Sequence, residues 1–301
     1  MYTAELQRYL DSSRVTWWIN RGSYSCPIYE VPHTTPRIPV ALMNDDGVST
    51  TVPVQNGGGR PHLAWIFSKG VPVPSGATAA SGTDMHMAVV DSLTGEMWEF
   101  WKMQQDVSGS WSARWGGYMA DHKSNPGIFL NETNPLSYSG WGSSATSLPV
   151  IAGMMLDSEL RSGVIPHALQ LIVPVISSEW WWPAQRRDST LPETGQVREG
   201  MRLRFPSTFD PNSLTASNSG GSAQATRTLR MIATAIRDYG LIVVDRGEAL
   251  GFRAEPKTDM YDFGDKYTSN LLRPLPLHQL QVVQPWWVPC VSAGGDGLRC
   301  G

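Results

Sequence analysis

The sequence predicts a mainly β protein: an antiparallel two-sheet sandwich of jelly-roll type with one or two peripheral helices. Three observations lead there. Only 17% of the 301 residues are charged, while 29 are glycine and 22 are proline. So many turn formers with so few charges suit short strands joined by turns, not a helical bundle. Apolar, β-branched and aromatic runs recur between turn signals. No repeat of 20–50 residues is visible, which argues against a propeller or a solenoid. The length allows one large domain or two modest ones, with ample core.

The elements follow in chain order. TAELQRYL (3–10) opens as a short helix and RVTWWINR (14–21) reads as a strand. SCPIYEVPHTTPRIPVAL (25–42) and TVPVQNGGGRPH (51–62) carry a proline every few residues. Proline cannot donate to a ladder, so these are edge or extended segments lying along something else. Residues 1–80 therefore read as a Pro/Gly-rich arm and lead-in, 81–288 as the sandwich domain and 289–301 as a tail. Within the domain, HMAVVDSLTGEMWEFWKM (86–103) is a strong hairpin pattern turning at Ser-Leu-Thr-Gly, and SWSARWGGYMA (110–120) supplies the next strand. Further strands are expected at HALQLIVPVI, EWWWPAQ and GMRLRFP, and LIVVDRGEALGFRAE (241–255) reads as a hairpin turning at DRGE. TRTLRMIATAIRDYG places Leu229, Ile232, Ala233, Ile236 and Tyr239 at helical spacing, with Gly240 as its stop. A second short helix is expected at DSELRSG (157–163).

Composition also excludes several classes. The net charge is −3 with no basic run, so no nucleic-acid partner is expected. No stretch approaches the ~18 apolar residues of a membrane span. The N-terminal MYTAELQRYLDSSR lacks the basic start and apolar core of a signal peptide. An extracellular role then implies either a leader absent from this sequence or another way out of the cell, such as assembly into a virus particle. Cys26, Cys290 and Cys300 are too few for a metal knuckle or a disulfide framework, and whether Cys290 and Cys300 bridge stays open. The NGGGR loop lacks the spacing and following helix of a phosphate cradle. No cofactor or metal is expected.

Thirteen tryptophans are several times the usual share of roughly 1%. Eleven of them cluster, as Trp17-Trp18, Trp98 and Trp101, Trp111 and Trp115, Trp180 to Trp182, and Trp286-Trp287. An indole offers a flat apolar face and one N–H donor, which suits sugars, although tryptophan also fills the cores of large β-sandwiches. In EWWWPAQRRD, strand alternation sends Trp180 and Trp182 to one face and Trp181 to the other. One face is expected in the core and the other as an aromatic floor, with Pro183 closing the strand and Arg186 and Arg187 at the rim. Burial of all three rings between sheets and helix is the competing reading. Trp141 and Arg204 join this expected substrate-binding set, with Arg187 or Arg204 holding an acidic sugar.

Catalytic candidates are Asp84, His86 and His167. Asp84 and His86 stand two apart on a strand and so share a face; His167 begins another strand. Two histidines and a carboxylate compose a metal facial site, a base with its orienter, or a buried structural cluster. The order Asp-x-His departs from the jelly-roll iron motif, in which His-x-Asp is followed by a distant His. Glu96 and Glu99 lie on opposite strand faces and read as exposed strand glutamates rather than a hydrolytic pair. No G-x-S-x-G elbow or H-E-x-x-H motif is present.

GTDMHMAVVD, GWGSSATSLPV, GVIPHALQLIVP, WWWPAQRRD, GMRLRFP and RDYGLIVVDRG occur in an order that resembles a family of uncharacterised extracellular bacterial β-rich proteins. The likeness covers roughly residues 27 to 255. It implies a secreted β-rich domain acting on polysaccharide. That family's Gly-Trp stretch often carries an acidic residue after its serine-alanine; GWGSSATSLP has none, which counts against a catalytic role for the loop. In texture, though not in motif, the arm and the tryptophan load also resemble minor tail proteins of phages that infect actinobacteria. Three functions follow as expectations. The first is a glycan-recognising sandwich on a cell-envelope polysaccharide, extracellular or on a virion tail. The second is an enzyme cleaving such a glycan, and the third a structural virion subunit meeting other subunits or its own copies through the arm.

Overall fold

The computed structural model describes residues 17–42, 67–129, 142–174, 176–187, 197–216, 222–256, 271–283, 291–293 and 297–299. The helix expected at 3–10, the NGGGR loop, Trp141, Trp286, Trp287, Cys290 and Cys300 lie outside them. In chain order the strands are β1 (Trp17–Asn20), β2 (Ile28–Val31), β3 (Val40–Leu42), β4 (Met87–Asp91), β5 (Met97–Trp101), β6 (Gln104–Gln105), β7 (Trp111–Ala113) and β8 (Trp115–Met119). Helix α1 (Asp157–Ser162), β9 (Leu169–Val173), β10 (Arg202–Arg204) and helix α2 (Ala223–Asp238) follow. The last are β11 (Leu241–Arg246), β12 (Leu250–Arg253), β13 (Gln281–Val283), β14 (Val291–Ala293) and β15 (Gly297–Arg299). The protein is mainly β and divides into two units, one of residues 1–21 and 152–286, the other of residues 22–151 and 287–301. No described helix is long and apolar enough to cross a membrane.

The first unit is built around β9, whose five residues are all buried. A strand covered on both faces reads as a continuous apolar run, as LQLIV does. It lies inside a six-stranded mixed sheet of order β1-β12-β9-β11-β10-β13. The expectation of a hairpin at DRGE is corrected here. β11 pairs with β9 in parallel and β12 pairs with β9 antiparallel, so β9 stands between the two. The short 247–249 turn crosses the end of β9, where Gly247 N–H donates to the Val173 carbonyl. Helix α2 packs on this sheet as its periodicity predicts: Leu229, Ile232, Ala233 and Ile236 are fully buried, whereas Tyr239 at its end is 38% exposed. Ser222 caps its N-terminus by accepting from Ala225 N–H at 3.0 Å.

The second unit holds a four-stranded sheet, β2-β4-β5-β8, a three-stranded sheet, β3-β7-β6, and the ribbon β14-β15. The β4–β5 hairpin forms as expected, with Val90 opposite Met97. SWSARWGGYMA forms two strands in different sheets, not one, breaking at Arg114. One apolar core draws on both sheets: Met87, Val89, Trp98 and Phe100 from one, Val40, Trp111 and Ala113 from the other. Purely antiparallel pairing is not what the chain adopts. The pairs β1/β12, β9/β11, β2/β4 and β3/β7 are parallel, and each has the long connection that parallel pairing requires.

The segment expected as an arm contributes to both cores where it is described. Trp17 and Ile19 belong to the first unit's core, and Val31, Phe67, Val71 and Val73 to the second's. The tryptophan run also differs from the strand expected of it. Trp180 makes one isolated bridge to Glu199, and the chain then turns at Trp182 and Pro183, joined by a cis peptide bond. The reason lies in the partner. Gly200 has φ +82 and approaches so closely that a Cβ there would lie 1.6 Å from the Trp181 carbonyl oxygen, and β10 begins only beyond it.

Candidate functional site

The end of the β5–β8 ladder in the second unit gathers the most chemistry. Trp101, the last residue of β5, is the register partner of Trp115, the first of β8. Directly opposed residues bring their side chains together, and these two indoles stack at 4.5 Å between centroids and 16° between planes. Sequence neighbours of the pair supply the charge. Lys102 Nζ stands 5.0 Å and the Arg114 guanidinium 5.7 Å from the Trp101 ring centroid, within cation–π range. The Trp101 indole N–H donates to Asp84 Oδ1 at 3.1 Å. Trp101, Lys102, Arg114, Trp115 and Asp84 are all half-buried.

The backbone beneath is unusual. Met85 (φ 43) and Lys102 (φ 53) both adopt the left-handed region without being glycine. They face each other across a tight backbone pairing, Lys102 N–H to the Asp84 carbonyl at 2.8 Å and Met103 N–H to the Met85 carbonyl at 3.0 Å. Such residues cost on the order of 1 kcal/mol each and persist only where their surroundings over-determine them. The pairing fixes Asp84 and Lys102 at one rim. His86 is buried beside it, with Nε2 4.0 Å from Asp84 Oδ2, beyond hydrogen-bond reach.

Two residues before Trp101 stands Glu99, which is fully buried. This corrects its reading as an exposed strand residue. Glu99 Oε2 accepts from Ser143 Oγ at 2.5 Å and Val150 N–H at 3.0 Å, and Oε1 accepts from Ile151 N–H at 3.1 Å. Burial pushes the Glu99 pKa up, above the ordinary carboxylate range, against the pull of these hydrogen bonds. The described part of the GWGSSATSLPV loop is thus tied to β5 by one carboxylate. The strand must lie close to β8 there: a Cβ on Gly116 would fall 2.2 Å from the Glu99 carbonyl oxygen.

A second polar cluster joins the β4–β5 turn to the segment after β2. His33 Nδ1 lies 2.7 Å from Asp91 Oδ2, and Asp91 Oδ1 accepts from Leu93 N–H and Thr94 N–H at 3.0 and 3.1 Å. Burial opposes the charge on Asp91, but the Thr94, His33 and Leu93 hydrogen bonds outweigh it and hold the pKa at about 2. Arg37 pairs with Glu96 and lies 5.1 Å from the Trp98 ring centroid, while Tyr118 donates to Glu96 at 2.9 Å.

Of the expected catalytic residues, Asp84 and His86 come together. His167 belongs to the first unit, where Nε2 lies 3.0 Å from Glu159 Oε1 and Nδ1 lies 2.9 Å from the Ala168 carbonyl. Burial lowers the His167 pKa, and the Glu159 and Ala168 hydrogen bonds more than reverse this, leaving it above 6.5. Trp180, Trp181, Trp182 and Arg186 are half-buried in the same unit, and Arg187 is exposed. Trp181 packs against the core, with Arg198 5.5 Å from its ring centroid. Arg204 lies at the end of β10 opposite Gln281. Trp141 is outside the described residues.

No family model, curated protein or solved structure matches the chain. The geometry therefore stands by itself. Reading the sequence missed Lys102, Arg114 and the Trp101–Trp115 pair as a site. The available signal was the aromatic-cation order, Trp-Lys at the end of one expected strand and Arg-Trp within the next.

Proposed function

We propose that the protein is a carbohydrate-recognising β-sandwich that binds a bacterial cell-envelope or extracellular polysaccharide through the Asp84/Trp101/Trp115 rim. The carrying observation is the stacked tryptophan pair whose indole N–H is already engaged by Asp84. Rings with their polar edge fixed present carbon surface for sugar C–H groups, and the remaining lone pairs of Asp84 accept from hydroxyls. The core shared by the two sheets of the second unit supports the sandwich arrangement. The resemblance to extracellular β-rich proteins supports the polysaccharide partner, and the likeness in texture to actinobacterial phage tail proteins supports a host-adhesion role on a virion.

The test is affinity electrophoresis of the full chain through gels containing purified envelope polysaccharides. Retardation by at least one polymer is expected, weakened roughly tenfold or more in Trp115→Ala, the loss typical of an aromatic anchor. Thermal melts confirm that the variant is folded. No retardation by any polymer, or undiminished retardation of the variant, overturns the reading.

Cleavage is a second reading, favoured by the approach of His86 to Asp84 at the same rim. New reducing ends or unsaturated products on incubation, lost in Asp84→Asn, support it; intact polymer removes it.

A further inference from the structure

We infer that His33, oriented by Asp91, is a nucleophilic imidazole that cleaves aryl esters. The site lies at the turn end of the β4–β5 hairpin, whereas the tryptophan rim lies at its open end, so the inference is independent of the carbohydrate reading. Asp91 ends β4 and is 1% exposed. Its Oδ1 accepts from Leu93 N–H and Thr94 N–H, which leaves Oδ2 for the imidazole. His33 Nδ1 lies 2.7 Å from Oδ2, on a side chain that is 49% exposed. Arg37 stands 4.0 Å from the same oxygen, beyond hydrogen-bond reach, and pairs with Glu96 instead. With its pKa held at about 2, Asp91 is ionised near neutral pH, and an ionised carboxylate only accepts. Nδ1 must therefore carry the hydrogen, and in the neutral ring Nε2 then holds the lone pair. The two ring nitrogens point away from each other, which turns Nε2 from the buried carboxylate. Among the described residues Nε2 makes no hydrogen bond. A nucleophile whose ring is oriented by a buried third group is the arrangement that covalent catalysis uses.

In the reaction Nε2 attacks the ester carbonyl carbon, a C–N bond forms, and the C–O bond to the departing oxygen breaks. The acyl-imidazolium so formed is positive, and the Asp91 carboxylate offsets that charge. Water then attacks the acyl carbon, and the C–N bond breaks with its electron pair returning to Nε2. The departed oxygen takes one water proton, leaving a carboxylic acid and a hydroxyl compound. An oxygen that leaves before it is protonated must be a weak base, which selects aryl esters over alkyl esters. Leu93, in the turn held by the same carboxylate, is 72% exposed and offers apolar contact to an aryl ring.

The experiment is hydrolysis of p-nitrophenyl acetate by the full chain, with ethyl acetate as the alkyl comparison. Release of p-nitrophenolate faster than with free imidazole at equal concentration is expected, and no acid from ethyl acetate. Mass spectrometry of quenched reactions should find the acetyl group on His33. His33→Gln removes the nucleophile and should lower kcat/KM at least roughly tenfold. Asp91→Asn tests the orientation. The two turn N–H groups keep the single amide oxygen, so the amide NH2 faces Nδ1 and drives the ring hydrogen to Nε2. The imidazole remains, yet the rate should fall by a similar factor. Nitrogen NMR should show His33 Nδ1–H in wild type and Nε2–H in this variant. His122→Gln is the control: that ring meets the Gly95 carbonyl through Nδ1 at 2.8 Å, and its loss should leave the rate unchanged. Thermal melts confirm that each variant is folded. A rate no higher than free imidazole, acetylation confined to other residues, or undiminished turnover in His33→Gln overturns the inference. Full turnover in Asp91→Asn overturns the part given to Asp91. None of these outcomes touches the carbohydrate reading.

Discussion

Replacing Glu99 by glutamine tests how the 143–151 segment is held. The carboxylate accepts from Ser143 Oγ, Val150 N–H and Ile151 N–H, and all of it is buried. An amide of the same shape has one oxygen. If that oxygen replaces Oε2, the amide nitrogen meets Ile151 N–H, donor against donor; in the other orientation two partners lose their acceptor. At least one buried donor is then unsatisfied, at about 1–3 kcal/mol. Glu99→Ala strands every partner and leaves a void, so a loss of at least ~3 kcal/mol is expected. Chemical denaturation of the two variants measures both, and hydrogen exchange at Val150 and Ile151 should quicken in each. The pH dependence adds a sign. Burial raises the Glu99 pKa, so the folded state binds more protons than the unfolded one in the window from the ordinary 4.5 up to the raised value. Stability therefore falls as pH rises through that window, and the advantage of wild type over Glu99→Gln is greatest at its acid end. A glutamine variant within about 0.5 kcal/mol of wild type, or an advantage that grows with pH, refutes the reasoning.

Asp91→Asn should cost about 1–3 kcal/mol in denaturant melts near neutral pH. The depressed Asp91 pKa makes that cost shrink as pH falls from the ordinary 3.8 toward about 2, since the contribution is present above the ordinary value and lost below the folded one. His167 should titrate above 6.5 by NMR, and its contribution to stability should be full below 6.5 and lost as pH rises through the folded value. In Glu159→Gln the burial that remains should carry the His167 titration downward; an unchanged titration would remove the pairing as its cause. Leu229→Ala, at a fully buried position of α2, should destabilise by about 2–5 kcal/mol while circular dichroism keeps its β-rich shape.

What the sequence makes legible is local. The α2 periodicity, its Gly240 stop and the β4–β5 turn each lie within about twenty residues, and a short window contains the whole physical cause. β11 and β12 show the limit. They look like a hairpin because nothing between them says that β9, from far upstream, takes the place between. Glu99 is misread for the same reason: its hydrogen-bond donors arrive some fifty positions later, so only the folded chain shows the carboxylate to be satisfied and buried. The rim is half legible. Asp84 and His86 are singled out by their spacing, but the stacking of Trp101 on Trp115 needs the β5–β8 register, and no glycine marks the left-handed turns at Met85 and Lys102.

The parallel pairing of β1 with β12 bears on how the chain is made. Trp17 and Ile19 are buried only once Leu250 and Phe252 lie beside them. On a ribosome that partner emerges roughly 230 residues later, on the order of tens of seconds at bacterial rates. The β2-β4-β5-β8 sheet lies within residues 28–119 and closes long before then. For that interval WWIN is an apolar strand with an open edge, the kind of segment that pairs with a neighbouring nascent chain if nothing covers it. Nascent chains stalled before residue 250 should therefore be held by chaperones or aggregate through this segment, although the β2-β4-β5-β8 sheet on the same chains has already formed.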